Sequence, residues 1–259
     1  MALDVPAAPV AQNFPTALIA QNRALADLTR TADPDTPVPT CPDWMLRQLV
    51  THVGRGDRWA ATIVGQRAES VVDPRMVPDG KPPADPGDAA DWLIGGVRLL
   101  IDAVDGVGPE TSVWTFLGPR PAAWWLRRRL HETAVHRADA ALALNAPFDL
   151  PADVAADGVS EWLSLLAAAS RPEPPLEGGT SMHLHATDDG LGAAGEWMVR
   201  GGGDGIAWES GHAKGTVAVR GAAVDLLLTL TRRIPAGDPR VQVLGDAAVF
   251  DGWLARTAF

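Results

Sequence analysis

The chain has 259 residues, 46% of them hydrophobic and 21% charged, which gives ample core and length for two domains and excludes a disordered chain. A formal net charge of −10 argues against nucleic acid as a partner, since duplex affinity rests mostly on neutralising phosphates with Lys and Arg. One cysteine, Cys41, excludes an internal disulfide framework and a cysteine-rich metal site.

The first residues, Met1 to Pro6, lack a basic stretch followed by an apolar core. No uncharged apolar run reaches the ~18 residues of a membrane span. The expectation is a cytoplasmic protein without a membrane partner, monomer or homodimer.

Apolar residues Leu18, Ile19, Leu25 and Leu28 recur at helical intervals and predict a first helix from about Pro15 to Thr31. A second is expected from Thr40 as N-cap, with Pro42 and Asp43 following, through Leu46, Leu49, Val53 and Trp59 towards Val64. The segment from Gly65 to Gly87, rich in Pro and Gly, reads as a long loop. A third helix is predicted from about Asp88 to Val104, and a fourth from about Pro121, in its first turn, to Leu144. A fifth helix spans about Ala152 to Ala168. Alternating runs then predict strands at 182–187, 195–199, 205–208, 216–220 and 241–244, with helices at 222–231 and 247–255. The pattern is that of a mixed α + α/β two-domain protein. A four-helix bundle over residues 1–148 precedes a small α+β domain over 149–259, with the boundary near 146–152, where Pro147 and Pro151 interrupt helix.

The chemistry concentrates in the fourth helix. Glu132 and His136 are four residues apart, so at 3.6 residues per turn they share a face, and Asp139 follows on it. His131 points about 100° away and is not expected to be a ligand. Of the six histidines, only His52 lies in the helical half outside this helix. Alone, a histidine among apolar positions reads as a core histidine. With Glu132 and His136 on a partner helix it becomes a third donor, and two imidazoles with one carboxylate leave an open coordination position, as in catalytic zinc sites. Asp139 is placed to hydrogen-bond a ligating imidazole. Arg127, Arg128 and Arg129 read as a solvated helix face, contact with an anionic ligand being the alternative. Trp124 and Trp125 read as core or as walls of a pocket beside the metal. His183 and His185 share a face of a predicted strand, where a structural role is the plainer reading.

Val38-Pro39-Thr40-Cys41-Pro42-Asp43-Trp44 leading to His52, and the segment from His131 to Asp139, resemble the two signatures of the mycothiol-dependent maleylpyruvate isomerase-like family. In the second half, His183-Leu184-His185-Ala186-Thr187-Asp188, Trp197, the segment from Val219 to Leu228, and Leu244-Gly245-Asp246 resemble its C-terminal domain. The resemblance implies a DinB-like metal-binding bundle followed by a sterol-carrier-like α+β domain. It implies that His52, Glu132 and His136 hold zinc or another divalent metal, with mycothiol as thiol cosubstrate in the fourth position. It also implies a catalytic arginine, matched here by Arg233 with Arg232 as rival, to hold substrate carboxylates. The chain departs from the family pattern at Thr231 and Arg232, where relatives often carry Trp and Gly.

The expected activity is therefore a metal-dependent enzyme that uses a bound thiolate against a small-molecule electrophile. S-transfer and maleylpyruvate-type cis–trans isomerisation both remain open, and the alternative is a non-catalytic metal- or small-ligand-binding protein. A hydrolase would need a general base beside zinc-bound water, for which the sequence offers no motif.

Overall fold

A computed structural model describes residues 13–169, 172–203 and 205–257. These form two compact units, one spanning Asn13–Phe148 and one built on the chain from Asp149 onward. The first is helical and the second is α+β, as the patterning predicts. Among the described residues, no helix is long and apolar enough to cross a membrane.

The first unit contains α1 (Phe14–Thr29), α2 (Leu46–Gly65), α3 (Pro86–Val107) and α4 (Ala123–Ala143). Helix α1 packs on α3 and α4, and α2 packs on the same two. Leu18, Leu25, Leu49, Val53, Leu93, Leu100 and Leu130 are fully buried between them. Two glycines let the helices approach. A Cβ on Gly54 would stand 2.1 Å from the Trp92 ring, and one on Gly56 would stand 2.6 Å from the Arg129 guanidinium.

Two predicted helix starts differ from the structure. Helix α2 begins at Leu46 rather than near Thr40, because Asp43 adopts φ 68°, a left-handed conformation that no right-handed helix accommodates. Residues 38–45 form a turn closed by Val38 N–H to Trp44 O at 2.9 Å and Leu46 N–H to Thr36 O at 2.9 Å. Gln48 Oε1 then accepts from Met45 N–H at 2.9 Å, capping the helix. Helix α4 begins at Ala123, after Pro121 has paired in a short antiparallel ribbon of β1 (Ser112–Val113) and β2 (Arg120–Pro121). It ends where Asn145 turns left-handed at φ 50°. The long loop between α2 and α3 is largely irregular, with one 3-10 turn at Pro74–Met76. Two indoles pin it: Trp59 Nε1–H donates to Val72 O at 2.7 Å and the buried Trp92 Nε1–H to Asp79 O at 2.9 Å.

The second unit contains α5 (Ala152–Ala168), β3 (Ser181–Ala186), β4 (Glu196–Gly202), β5 (Gly205–Ser210), β6 (Val217–Gly221), α6 (Ala223–Leu230), β7 (Val241–Gly245) and α7 (Ala247–Arg256). The five strands form one sheet in the order β5-β4-β3-β6-β7, in which only β3 and β6 run parallel. Leu184 pairs with Trp197, whose indole N–H donates to Ser160 Oγ of α5 at 2.9 Å, so this face packs on helix. By alternation His183 and His185 project from the opposite face.

Helix α6 ends in a Schellman arrangement: Arg233 N–H bonds to Leu228 O at 2.7 Å and Arg232 N–H to Thr229 O at 2.9 Å. Arg232 occupies the left-handed position at φ 65°, where glycine carries no steric penalty. Arg232→Gly is therefore expected to stabilise the fold by about 1 kcal/mol, read as a higher urea midpoint. Gly54→Ala is expected to destabilise by about 1–3 kcal/mol, because the Trp92 ring must move. An unchanged midpoint in that variant would refute the close α2–α3 approach.

Candidate metal centre

The seam between α2 and α4 is unusually polar for a helix interface. Helix α4 buries Arg129, His131, His136, Arg137 and Asp139 along with its apolar residues. Buried polar groups are tolerated only when hydrogen-bonded, and Arg129, His136 and Asp139 each have a specific partner.

His52, Glu132 and His136 converge there, their potential ligand atoms lying within 4.8 Å of one another. Glu132 Oε1 is 3.0 Å from His52 Nε2 and 3.7 Å from His136 Nε2. The two imidazoles meet edge to face with centroids 4.8 Å apart. The Trp44 ring lies 5.0 Å from the His52 ring and 5.9 Å from that of His136, so the turn before α2 walls one side of the site. The His52 side chain is 40% exposed and that of Glu132 20%, which leaves the donors reachable from solvent.

Asp139, fully buried, organises the inner side. Its Oδ2 sits 2.8 Å from His136 Nδ1, while Oδ1 accepts from Thr40 Oγ1 at 2.5 Å and Cys41 Sγ lies 3.5 Å from Oδ2. An Nδ1–H donated to Asp139 leaves the Nε2 lone pair of His136 facing Glu132 and His52. Metal-ligating histidines use this arrangement. The Thr40 hydroxyl, expected to cap α2, serves Asp139 instead.

The arginine run is not a solvated face. Arg128 pairs with Glu132 Oε2, one turn away. Arg129 is buried, its Nε–H donating to Asp57 Oδ1 at 2.8 Å and its Nη2–H to Val53 O at 3.0 Å. Sequence reasoning missed these roles, although the spacing of three and four residues from Glu132 was a signal. Burial alone would raise the Glu132 carboxyl; Arg128, hydrogen bonds with His136 and His52, and the field of Arg129 hold it well below the usual carboxylate range. Glu132 is thus an anion, as a metal ligand must be.

These donors fit a zinc-class ion: two neutral-capable imidazole nitrogens and one ionised carboxylate, with one ring oriented from behind. His131 is buried but belongs to none of the donor groups found among the described residues. Trp125 is core; its ring packs against Trp59 and Trp114. Trp124 stacks edge-on against it and Phe116. In the second unit, Arg233 follows the Schellman turn, and its Nη1–H donates to Thr231 O at 2.7 Å. Arg232 is exposed.

Fold and site together define a two-unit protein in which a helical bundle with a two-histidine, one-carboxylate donor set precedes an α+β unit. The chain belongs to the mycothiol maleylpyruvate isomerase family: the family's N-terminal domain matches residues 16–141 and its C-terminal domain residues 153–252. A crystal structure of the mycothiol-dependent maleylpyruvate isomerase shares the fold at TM-score 0.62 and 15% identity, over 93% of each chain. A histidine-to-alanine mutant of that enzyme aligns at TM-score 0.60 and 14% identity, again over 93% of each. No curated protein matches the chain.

Two outcomes follow from the geometry around His136. Asp139→Asn leaves the shape but weakens the hold on the ring, and is expected to lower zinc affinity by about 10–100-fold, measured by competition with a chelator. Burial disfavours the charged His136 ring, yet hydrogen bonds with Asp139, Cys41 and Glu132 outweigh it and push its pKa up to about 10. In the metal-free protein this raised pKa stabilises the fold fully below 6.5, and the contribution is lost as pH rises through about 10. Zinc must displace that proton, so its affinity rises over the same window, with about one proton released per ion. Calorimetry in buffers of different ionisation enthalpy reads that proton, and zinc uptake independent of pH would contradict it.

Proposed function

We propose that this protein is a thiol-dependent isomerase that holds a divalent metal, zinc, on His52, Glu132 and His136 and uses mycothiol against a small electrophilic alkene of the maleylpyruvate type. The observation that carries the reading is the convergence of those three donors, with Asp139 behind one of them, in a chain of this family. A zinc-class ion on this donor set supplies the Lewis acidity that keeps an added thiol ionised at neutral pH.

The protein's own residues do the rest. Glu132, held ionised by Arg128 and Arg129, supplies the negative charge of the donor set. Asp139 fixes the tautomer and direction of His136. Trp44 presents an apolar wall beside both imidazoles, which shields the reacting sulfur from water on that side. In the reaction, sulfur adds to one carbon of the cis double bond, the resulting single bond rotates, and elimination restores the thiol and leaves the trans alkene. Arg233 is the proposed carboxylate-binding residue, its planar guanidinium suited to a bidentate contact.

The decisive experiment incubates zinc-loaded protein with mycothiol and a cis-configured unsaturated diacid and analyses products. Isomerised substrate with thiol recovered supports the proposal. A stable thioether identifies an S-transferase instead, and binding of zinc without any turnover identifies a metal- or ligand-binding protein of the same fold. His52→Ala is expected to reduce turnover by at least about 10²-fold. Arg233→Ala is expected to act mainly on KM, since it removes a substrate contact rather than the thiol site. An effect of Arg233→Ala on kcat alone would argue against that role.

A further inference from the structure

The second unit contains a donor cluster of its own. On β3, His183 and His185 project from the sheet face opposite Leu184 and Trp197, and the register sets His185 directly across from Glu196 on β4. Cross-strand partners on one face bring their side chains within reach of each other. The connection from β5 to β6 adds His212, and its path is fixed at both ends. Gly211 N–H bonds to Glu196 O at 3.1 Å, and Ser181 and Thr216 exchange hydrogen bonds at 3.1 and 3.2 Å.

The three imidazoles surround one carboxylate. Glu196 Oε2 is 2.5 Å from His183 Nε2, its Oε1 is 2.8 Å from His185 Nδ1, and both oxygens are 3.2 Å from His212 Nδ1. Ring centroids are 4.7–6.2 Å apart, and one ligand atom from each residue lies within 4.8 Å of the others. His183 is buried, whereas the His212 side chain is 72% exposed. His183 and His212 also line an open groove of about 340 Å³ with Ala213, Lys214, Ala218 and Leu244, so the cluster is reached from solvent.

We propose that His183, His185, Glu196 and His212 form a second divalent-metal site, separate from the bundle donors. Three imidazoles with one carboxylate suit zinc, nickel or copper rather than calcium or magnesium, which prefer all-oxygen shells. The ligands come from two adjacent strands and one connecting loop, so a bound ion ties residues 211–216 to the sheet. The site differs from the bundle site in offering four protein ligands, the usual complement of a structural zinc site.

The test is zinc stoichiometry of untagged protein after loading and removal of excess with a weak chelator. Wild type is expected to hold about two ions per chain. The double variant His52→Ala/His136→Ala is expected to retain one, and His185→Gln/His212→Gln the other. Adding His212→Ala, at an exposed loop position, to the bundle variant is expected to abolish the zinc-dependent rise in melting temperature that the bundle variant retains. Cobalt loaded into the bundle variant should give the visible absorption of a four-coordinate nitrogen–oxygen site. If the bundle variant holds no zinc, the second site is refuted and the bundle reading stands. If wild type holds a single ion that only the His185/His212 changes remove, the second site is supported and the bundle reading fails.

Discussion

A fully buried carboxylate is tolerable only with partners on every side, and Asp139 is the point on which the helical unit turns. One oxygen holds the Thr40 hydroxyl in the turn ahead of α2, and the other holds His136 on α4. The turn in turn carries Trp44 against both imidazoles. Removing this one acid would leave an imidazole without a fixed direction, a hydroxyl without an acceptor and a tryptophan on an untied segment. The Arg129–Asp57 pair performs a comparable task almost three turns earlier on α4, and Gly56 is small because that guanidinium needs the space. The polar seam is a set of mutual obligations rather than a collection of independent contacts.

Helical periodicity made most of the architecture legible, because amphipathic spacing is a local property. The bounds of α5 agree to the residue, and every predicted strand has its counterpart. The two misplaced helix starts have one kind of cause. A capping threonine and a first-turn proline are local signals, and tertiary demands overrode both: Thr40 is taken by a residue ninety-nine positions away, and Pro121 by a ribbon partner. The Glu132–His136 pair was readable on α4 from i, i+4 spacing, whereas bringing His52 to it required a second helix. The role of Arg128 was within reach of the same spacing rule. His212 was not, since nothing in its own loop announces that β4 and β3 will present a carboxylate and two imidazoles beside it.

The two donor groups illustrate different routes to convergence. In the bundle, two helices bring the candidate donors together and buried Asp139 orients one of them from behind. In the sheet, alternation and register set His183, His185 and Glu196 on one face, and the pinned β5–β6 connection adds His212. Pleat geometry makes such a cluster sensitive to register, because a slip by one residue would turn both histidines to the helix-packed face.

The sharing of Asp139 between Thr40 and His136 has a kinetic consequence. The turn that carries Trp44 beside both imidazoles is tied to the same carboxylate that steadies one of them. Loosening the turn and loosening the His136 ring are therefore coupled motions, and local opening of that end of the helical unit is expected to free both together.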